Sequence, residues 1–198
     1  MGSSTKLLRE YIRAVRESQE QHKLWVFDFD DTLVKTDSCT HVTNTETGEK
    51  FDLTPGELAV YEKRPGDTFD YTDFEKLVNP RPVKWVNRIL HNVYTHHGPE
   101  NIVILTARGH SEPVQHWLTM IGLPGIEIAT LGNTSAQMKA DWISKRIERS
   151  GYTAVEFFDD SHKNVAAVSA LRQRHPEVMV ITRHIVHNRV ASLTARRQ

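Results

Sequence analysis

Three short apolar runs in this chain each end on a polar cluster, and that repetition limits its possible folds more than any other feature. Leu24-Trp25-Val26-Phe27 runs into Asp28-Phe29-Asp30-Asp31-Thr32. Ile102-Val103-Ile104-Leu105 runs into Thr106-Ala107-Arg108-Gly109, and Val155-Glu156-Phe157-Phe158 into Asp159-Asp160-Ser161. Apolar runs this short cannot make helices and read as strands buried on both faces, as in a parallel sheet. Val178-Met179-Val180-Ile181 is a further strand, and Gly125-Ile126-Glu127-Ile128 a weaker one.

Amphipathic stretches alternate with these runs. Val83, Val86, Leu90 and Val93 share one face over 82–96, with Pro82 suited to the first turn and Gly98-Pro99 as the stop. Helices are also predicted over 112–121, over 136–149 up to Gly151, and from Ser161 to before Pro176. Leu7, Leu8, Tyr11, Ile12 and Val15 line one helical face within 5–21. Strand–helix alternation predicts a doubly wound α/β fold, with a mostly parallel sheet covered on both sides.

Residues 35–80 interrupt that pattern. Thr43 to Gly48 is rich in turn formers and reads as a hairpin tip, Thr54-Pro55-Gly56-Glu57 has capping-box spacing, and Tyr71 to Val78 suits a short helix. The excursion is too long for an ordinary connection after a strand. It reads as a small cap or lid (35–80) inserted into a core formed by 1–34 and 81–198.

Composition narrows the class of function. Among 198 residues, 25 Lys and Arg balance 25 Asp and Glu, which argues against a protein that finds its partner through a strong basic field. The single cysteine, Cys39, excludes an internal disulfide and fits a reducing compartment. No run approaches the roughly 18 apolar residues of a membrane span, and no signal-peptide pattern opens the sequence. The expectation is a soluble, cytoplasmic protein with no membrane and no obligate protein partner.

In open α/β sheets ligands bind beyond the carboxyl ends of the strands, which is where the three polar clusters fall. A buried carboxylate is costly unless paired or metal-bound, so several converging on one edge call for a hard divalent cation, most plausibly Mg²⁺.

The ordered set Asp28-Phe29-Asp30-Asp31-Thr32, Thr106, Lys139 and Asp159-Asp160 resembles the four motifs of the haloacid dehalogenase (HAD) superfamily of phosphoryl-transfer enzymes, over about residues 24–183. The resemblance implies a nucleophile at Asp28 that forms an aspartyl-phosphate, and an acid/base at Asp30. It implies phosphate contacts from Thr106 and Lys139, with Arg108 as a further candidate. It also implies Mg²⁺ held by Asp28, Asp159, the main-chain carbonyl of Asp30, and Asp160 through water. The later half is similar to the 3′-phosphatase domain of phage-type polynucleotide kinases, and the whole to small phage HAD proteins.

Each residue also has a plainer role open to it. Asp31 can serve a turn, Thr32 can cap one, and Ser161 can be a helix N-cap. Arg108 contacts a substrate phosphate or forms a surface ion pair. Lys145 competes with Lys139, and Asn164 orients Asp159 or lies on a solvated face. Cys39 reads as a structural thiol, the histidines 41, 96, 97, 110 and 162 as solvated, and Arg189 to Arg197 as a solvated tail.

Three functions follow from this reading. One is a Mg²⁺-dependent phosphomonoesterase acting on a nucleotide or other small phosphomonoester. Another is a polynucleotide 3′-phosphatase with a basic track from Arg108, Lys84, Arg88 and Lys163. The last, from a different class, is a phospho-acceptor signalling domain, which also clusters aspartates, Thr and Lys on such a sheet. No GxxxxGK[ST] phosphate loop is present, so a 5′-kinase activity is not expected.

Overall fold

The computed structural model describes residues 22–58 and 60–186. The amphipathic segment 5–21 and the basic segment from Arg189 lie outside the described residues.

Five strands form one parallel sheet: β1 (Lys23–Phe27), β7 (Ile102–Thr106), β8 (Glu127–Thr130), β9 (Ala154–Asp159) and β10 (Met179–His184). Their spatial order is β10-β9-β1-β7-β8. The chain leaves β1 toward β7 and β8, then returns to β9 on the other side of β1. The order therefore reverses at β1, the switch point where connections diverge and a crevice opens.

Alternate residues of β1 serve opposite faces. Trp25 and Phe27 pack into a cluster with Val86, Leu90, Val114, Trp117 and Leu118, while Leu24 and Val26 join Ala140, Ile143, Ile147, Phe157 and Leu171. This two-sided burial is why the strand has no polar alternation. Phe27 and Phe158 stack across neighbouring strands with centroids 4.4 Å apart.

Helix α2 (Lys84–His97) and helix α3 (Glu112–Met120) supply the first cluster, and helix α4 (Ala136–Ser150) with helix α5 (His162–Ser169) the second. Gly151 ends α4 in the left-handed conformation at φ 66, its N–H closing on Ile147 O at 3.0 Å. Two sequence expectations change here. Pro82 is not in the first turn of α2: it pairs with Val34 in a two-stranded antiparallel ribbon, β2 (Val34–Lys35) with β6 (Arg81–Pro82). Its missing N–H is tolerable in so short a pairing. The helix after Ser161 breaks at Ala170 and restarts as α6 (Leu171–Arg174).

Between β2 and β6 the chain builds a second sheet, β3 (Thr40–Asn44), β4 (Lys50–Leu53) and β5 (Asp67–Asp70), antiparallel in the order β4-β3-β5. Asn44 sets the β3–β4 turn, its Oδ1 accepting from Glu46 N at 3.0 Å and Thr47 N at 2.9 Å. The capping box forms: Glu57 N donates to Thr54 Oγ1 at 3.3 Å, and Thr54 N to Glu57 Oε2 at 2.9 Å, at the start of α1 (Pro55–Leu58). The Tyr71 to Val78 stretch holds only one 3-10 turn, Thr72–Glu75. The turn is held by Thr72 N, which donates to Asp70 Oδ1 at 2.9 Å, and by Cys39 N, which donates to Asp73 Oδ2 at 3.1 Å.

Candidate active site

Asp28 extends β1 by one residue, its N–H donating to Phe158 O at 2.9 Å, so its side chain starts from a fixed position on the carboxyl edge. The chain then doubles back. Leu33 N and Val34 N both reach Phe29 O, Asp31 N reaches Val34 O at 2.8 Å, and Asp31 takes a positive φ of 57. Asp and Asn tolerate that conformation better than most residues, which explains an aspartate here without a chemical role.

The parallel strands bring the other groups alongside. Asp159 ends β9, wholly buried. Its Oδ1 accepts from Ser161 N at 2.8 Å, and its two oxygens from Asn164 Nδ2 at 3.0 Å each. Asn164 therefore orients Asp159, and Ser161 caps α5, accepting from Asn164 N at 3.4 Å. Thr32 does more than cap its turn. Asp160 N donates to its hydroxyl at 3.0 Å, and that hydroxyl donates to Asp160 Oδ1 at 3.3 Å, binding the β1 turn to the β9 loop. Asp28, Asp159 and Asp160 each offer an oxygen within 4.8 Å of the others; among the described residues no other such group is found.

Lys139 enters from the first turn of α4, which runs back beneath the sheet so that its start meets the carboxyl edge. Its Nζ donates to Asp28 Oδ1 at 2.6 Å and to Asp159 Oδ2 at 2.7 Å, and the residue is 3% exposed. Lys145, on the same helix, is exposed. Thr106 ends β7 fully buried, and its hydroxyl accepts from Arg108 N at 3.2 Å.

The electrostatics follow from crowding. Burial pushes the Asp28 carboxyl well above its usual range; the Lys139 ammonium opposes this, and the Asp159 and Asp160 charges add to it. Lys139 itself loses water by burial, yet the charges of Asp28 and Asp159 hold it firmly protonated. Burial, then the charges of Asp159 and Asp31, lift Asp160 to about 6. Asp28 and Asp159 share one ammonium and Asp160 lies beside them, a crowding of acidic groups that a cation would relieve.

The Asp30 carboxylate stands apart from that group. It faces Arg108, whose Nε donates to Oδ2 at 2.8 Å and whose Nη2 donates to Oδ1 at 2.7 Å. Arg108 is 4% exposed and the Asp30 side chain 22%, so the ion pair is partly buried and not a surface one. No protein-family model, curated protein or solved structure was found to match this chain. The reading of its chemistry rests on the residues themselves.

Other candidates fall elsewhere. Cys39 is partly buried in the insertion, its thiol near Asp37 O, and His41 pairs with Asp52 at 2.6 Å. His97 packs against Trp25 with the rings tilted and their centroids 4.5 Å apart, whereas His96, His110 and His162 are exposed. Sequence reasoning missed the backbone carbonyls of Phe74 and Lys76, which also hold Arg108. A main-chain acceptor leaves no mark on residue type. No described helix is long and apolar enough to cross a membrane.

Proposed function

We propose that the protein is a Mg²⁺-dependent phosphomonoesterase of the HAD type, working through an aspartyl-phosphate on Asp28. The observation that carries this reading is the convergence of Asp28, Asp159, Asp160 and Lys139 on one edge of the sheet, with Thr106 ending the neighbouring strand.

The donor set fits the cation. Three carboxylates, with no thiolate or imidazole among them, suit a hard ion that takes oxygen ligands. Mg²⁺ held by Asp28, Asp159 and Asp160, with the Asp30 main-chain carbonyl, would supply positive charge between the nucleophile and an anionic phosphate.

Asp28 attacks phosphorus through a carboxylate oxygen, a P–O bond to Asp28 forms, and the bond to the leaving oxygen breaks. Asp30 gives that oxygen a proton. Water then loses a proton to Asp30 and attacks phosphorus, releasing inorganic phosphate and restoring Asp28. Lys139 and Thr106 hold the non-bridging oxygens, where preorganised donors lower the barrier most.

A small phosphomonoester, a nucleotide first, is the favoured substrate. The insertion at 35–80 carries ten acidic residues against five basic ones, so a polyanionic strand lying against it would be repelled. That charge disfavours the 3′-end-repair reading, and we assign the insertion the role of a lid over a small substrate. Phosphate release with Mg²⁺ from nucleoside monophosphates, sugar phosphates and 3′- or 5′-phosphorylated oligonucleotides tests this, with Asp28→Asn as the blank. Release from the small esters supports the reading, and preference for the 3′-phosphorylated oligonucleotide reverses the substrate assignment. A wild-type phospho-enzyme lasting minutes without turnover would favour the signalling domain.

A further inference from the structure

Arg108 sits in a slot between two aromatic rings, its guanidinium carbon 5.6 Å from the Phe29 centroid and 5.5 Å from that of Phe74. One edge forks onto Asp30, as described above. From the other edge Nη1 donates to Phe74 O at 2.7 Å and Lys76 O at 3.1 Å. A guanidinium has five N–H donors, and four are taken, so little of it is left for a substrate phosphate.

The carbonyls belong to the stretch from Thr72 to Lys76, a strap that is part of the insertion. Asp73 within the strap accepts from Cys39 N at 3.1 Å, and its carbonyl accepts from Ser38 Oγ at 3.2 Å. Ser38 and Cys39 lead directly into β3. The segment leading into β3 is thus connected, through its hydrogen bonds to Asp73 and the strap's own backbone, to the two carbonyls, Arg108 and the Asp30 carboxylate.

We infer that Arg108 is a positioning residue that couples the seating of the insertion strap to the orientation of Asp30. Resting on the base role proposed for Asp30 in the second step, in which the ionised carboxylate keeps lone pairs for the proton of water, the coupling makes the insertion a regulator of that group. With the strap in place, Nη1 has both acceptors, and the opposite edge fixes the carboxylate in one plane through a bidentate pair. When the strap lifts, Nη1 loses both partners and Arg108 gains water, which frees Asp30 to rotate. Coupling of this kind is reciprocal: whatever weakens the fork on Asp30 also loosens the strap.

Hydrogen exchange and kinetics test the coupling together. Arg108→Lys keeps a cation but loses the planar fork. Amides of residues 72–78 are expected to exchange roughly tenfold faster in it, while β9 and α4 exchange as in the wild type. Asp30→Asn, nearly the same shape, loosens the same amides by weakening the fork from its other end. In turnover, Arg108→Lys lowers kcat roughly 10²-fold with KM little changed, and phospho-enzyme builds up because water activation suffers. Unchanged exchange at 72–78 in both variants overturns the coupling. A rise in KM with kcat preserved also overturns it and makes Arg108 a phosphate ligand. The exchange result does not require turnover, so a protein inactive on every phosphomonoester would fail the proposed reaction while this coupling is still judged on its own.

Discussion

The Lys139 ammonium stands 2.6 Å from Asp28 Oδ1, with both side chains more than nine-tenths buried. The same nitrogen reaches Asp159, so one charge on α4 ties together the carboxyl ends of two adjacent strands. This contact makes the site part of the fold's stability, and removing one partner of a buried pair should be costly.

Lys139→Met is therefore expected to destabilise the metal-free protein by about 3–5 kcal/mol, since Asp28 and Asp159 stay buried without the ammonium that both hydrogen-bond. Added Mg²⁺ should recover more of the lost Tm in the variant than it adds to the wild type. Thermal melts with chelator and with Mg²⁺ read both effects, and an unchanged Tm in chelator would contradict the structural account.

Asp28→Asn should keep the fold and abolish turnover, because it removes the nucleophile with little change in shape. Circular dichroism confirms the first part and phosphate release the second. Residual turnover above background would exclude the covalent route.

Asp160 titrates at about 6 in the fold, against an ordinary value of 3.8. The folded chain therefore binds an extra proton between these values, and this group adds stability as pH falls from about 7 to about 4. Asp160→Asn removes the charge at every pH. In chelator it should be the more stable protein at pH 7, by up to about 3 kcal/mol, and lose that advantage near pH 4. Melts of both proteins across that range check it; a pH-independent difference would show that Asp160 carries no such strain.

In the insertion the sign is opposite. Asp67 is buried, which alone would raise its pKa. Asn44 Nδ2 at 2.9 Å, Tyr61 OH at 2.7 Å and Arg64 N at 2.8 Å all donate to it, and hold it near 2. Its contribution is complete above about pH 4 and is lost as pH falls toward 2. Amide protection in 40–70 should fade over that window, and Asp67→Ala should show the same loss at neutral pH.

The legibility of these features in the sequence follows from where their chemistry resides. Strands β1, β7 and β9 are legible because burial on both faces demands mostly apolar runs, interrupted in β9 only by Glu156, which Lys23 and Arg183 pair. Lys139 is a candidate through the motif resemblance, and its place in the first turn of a helix that returns to the strands' carboxyl edge favours it over Lys145. Asn164 was left between two roles, which only its 3.0 Å contacts with Asp159 separate. The sequence leaves Arg108 between a substrate phosphate and a surface ion pair, since nothing in residues 72–76 announces that two carbonyls and a carboxylate close around it. Pro82 was assigned to a helix on a local rule that the β2–β6 pairing overrides.

Asp30→Asn is the protein in which to seek the covalent intermediate on Asp28. Incubated with Mg²⁺ and an aryl phosphate, whose leaving oxygen departs without a proton from Asp30, then quenched in acid and weighed intact, it should carry one added phosphoryl group. Peptide mapping should place that group on Asp28, and Asp28→Asn/Asp30→Asn should carry none. A substrate that the wild type hydrolyses, with no phosphoryl group trapped on Asp30→Asn, would contradict the account.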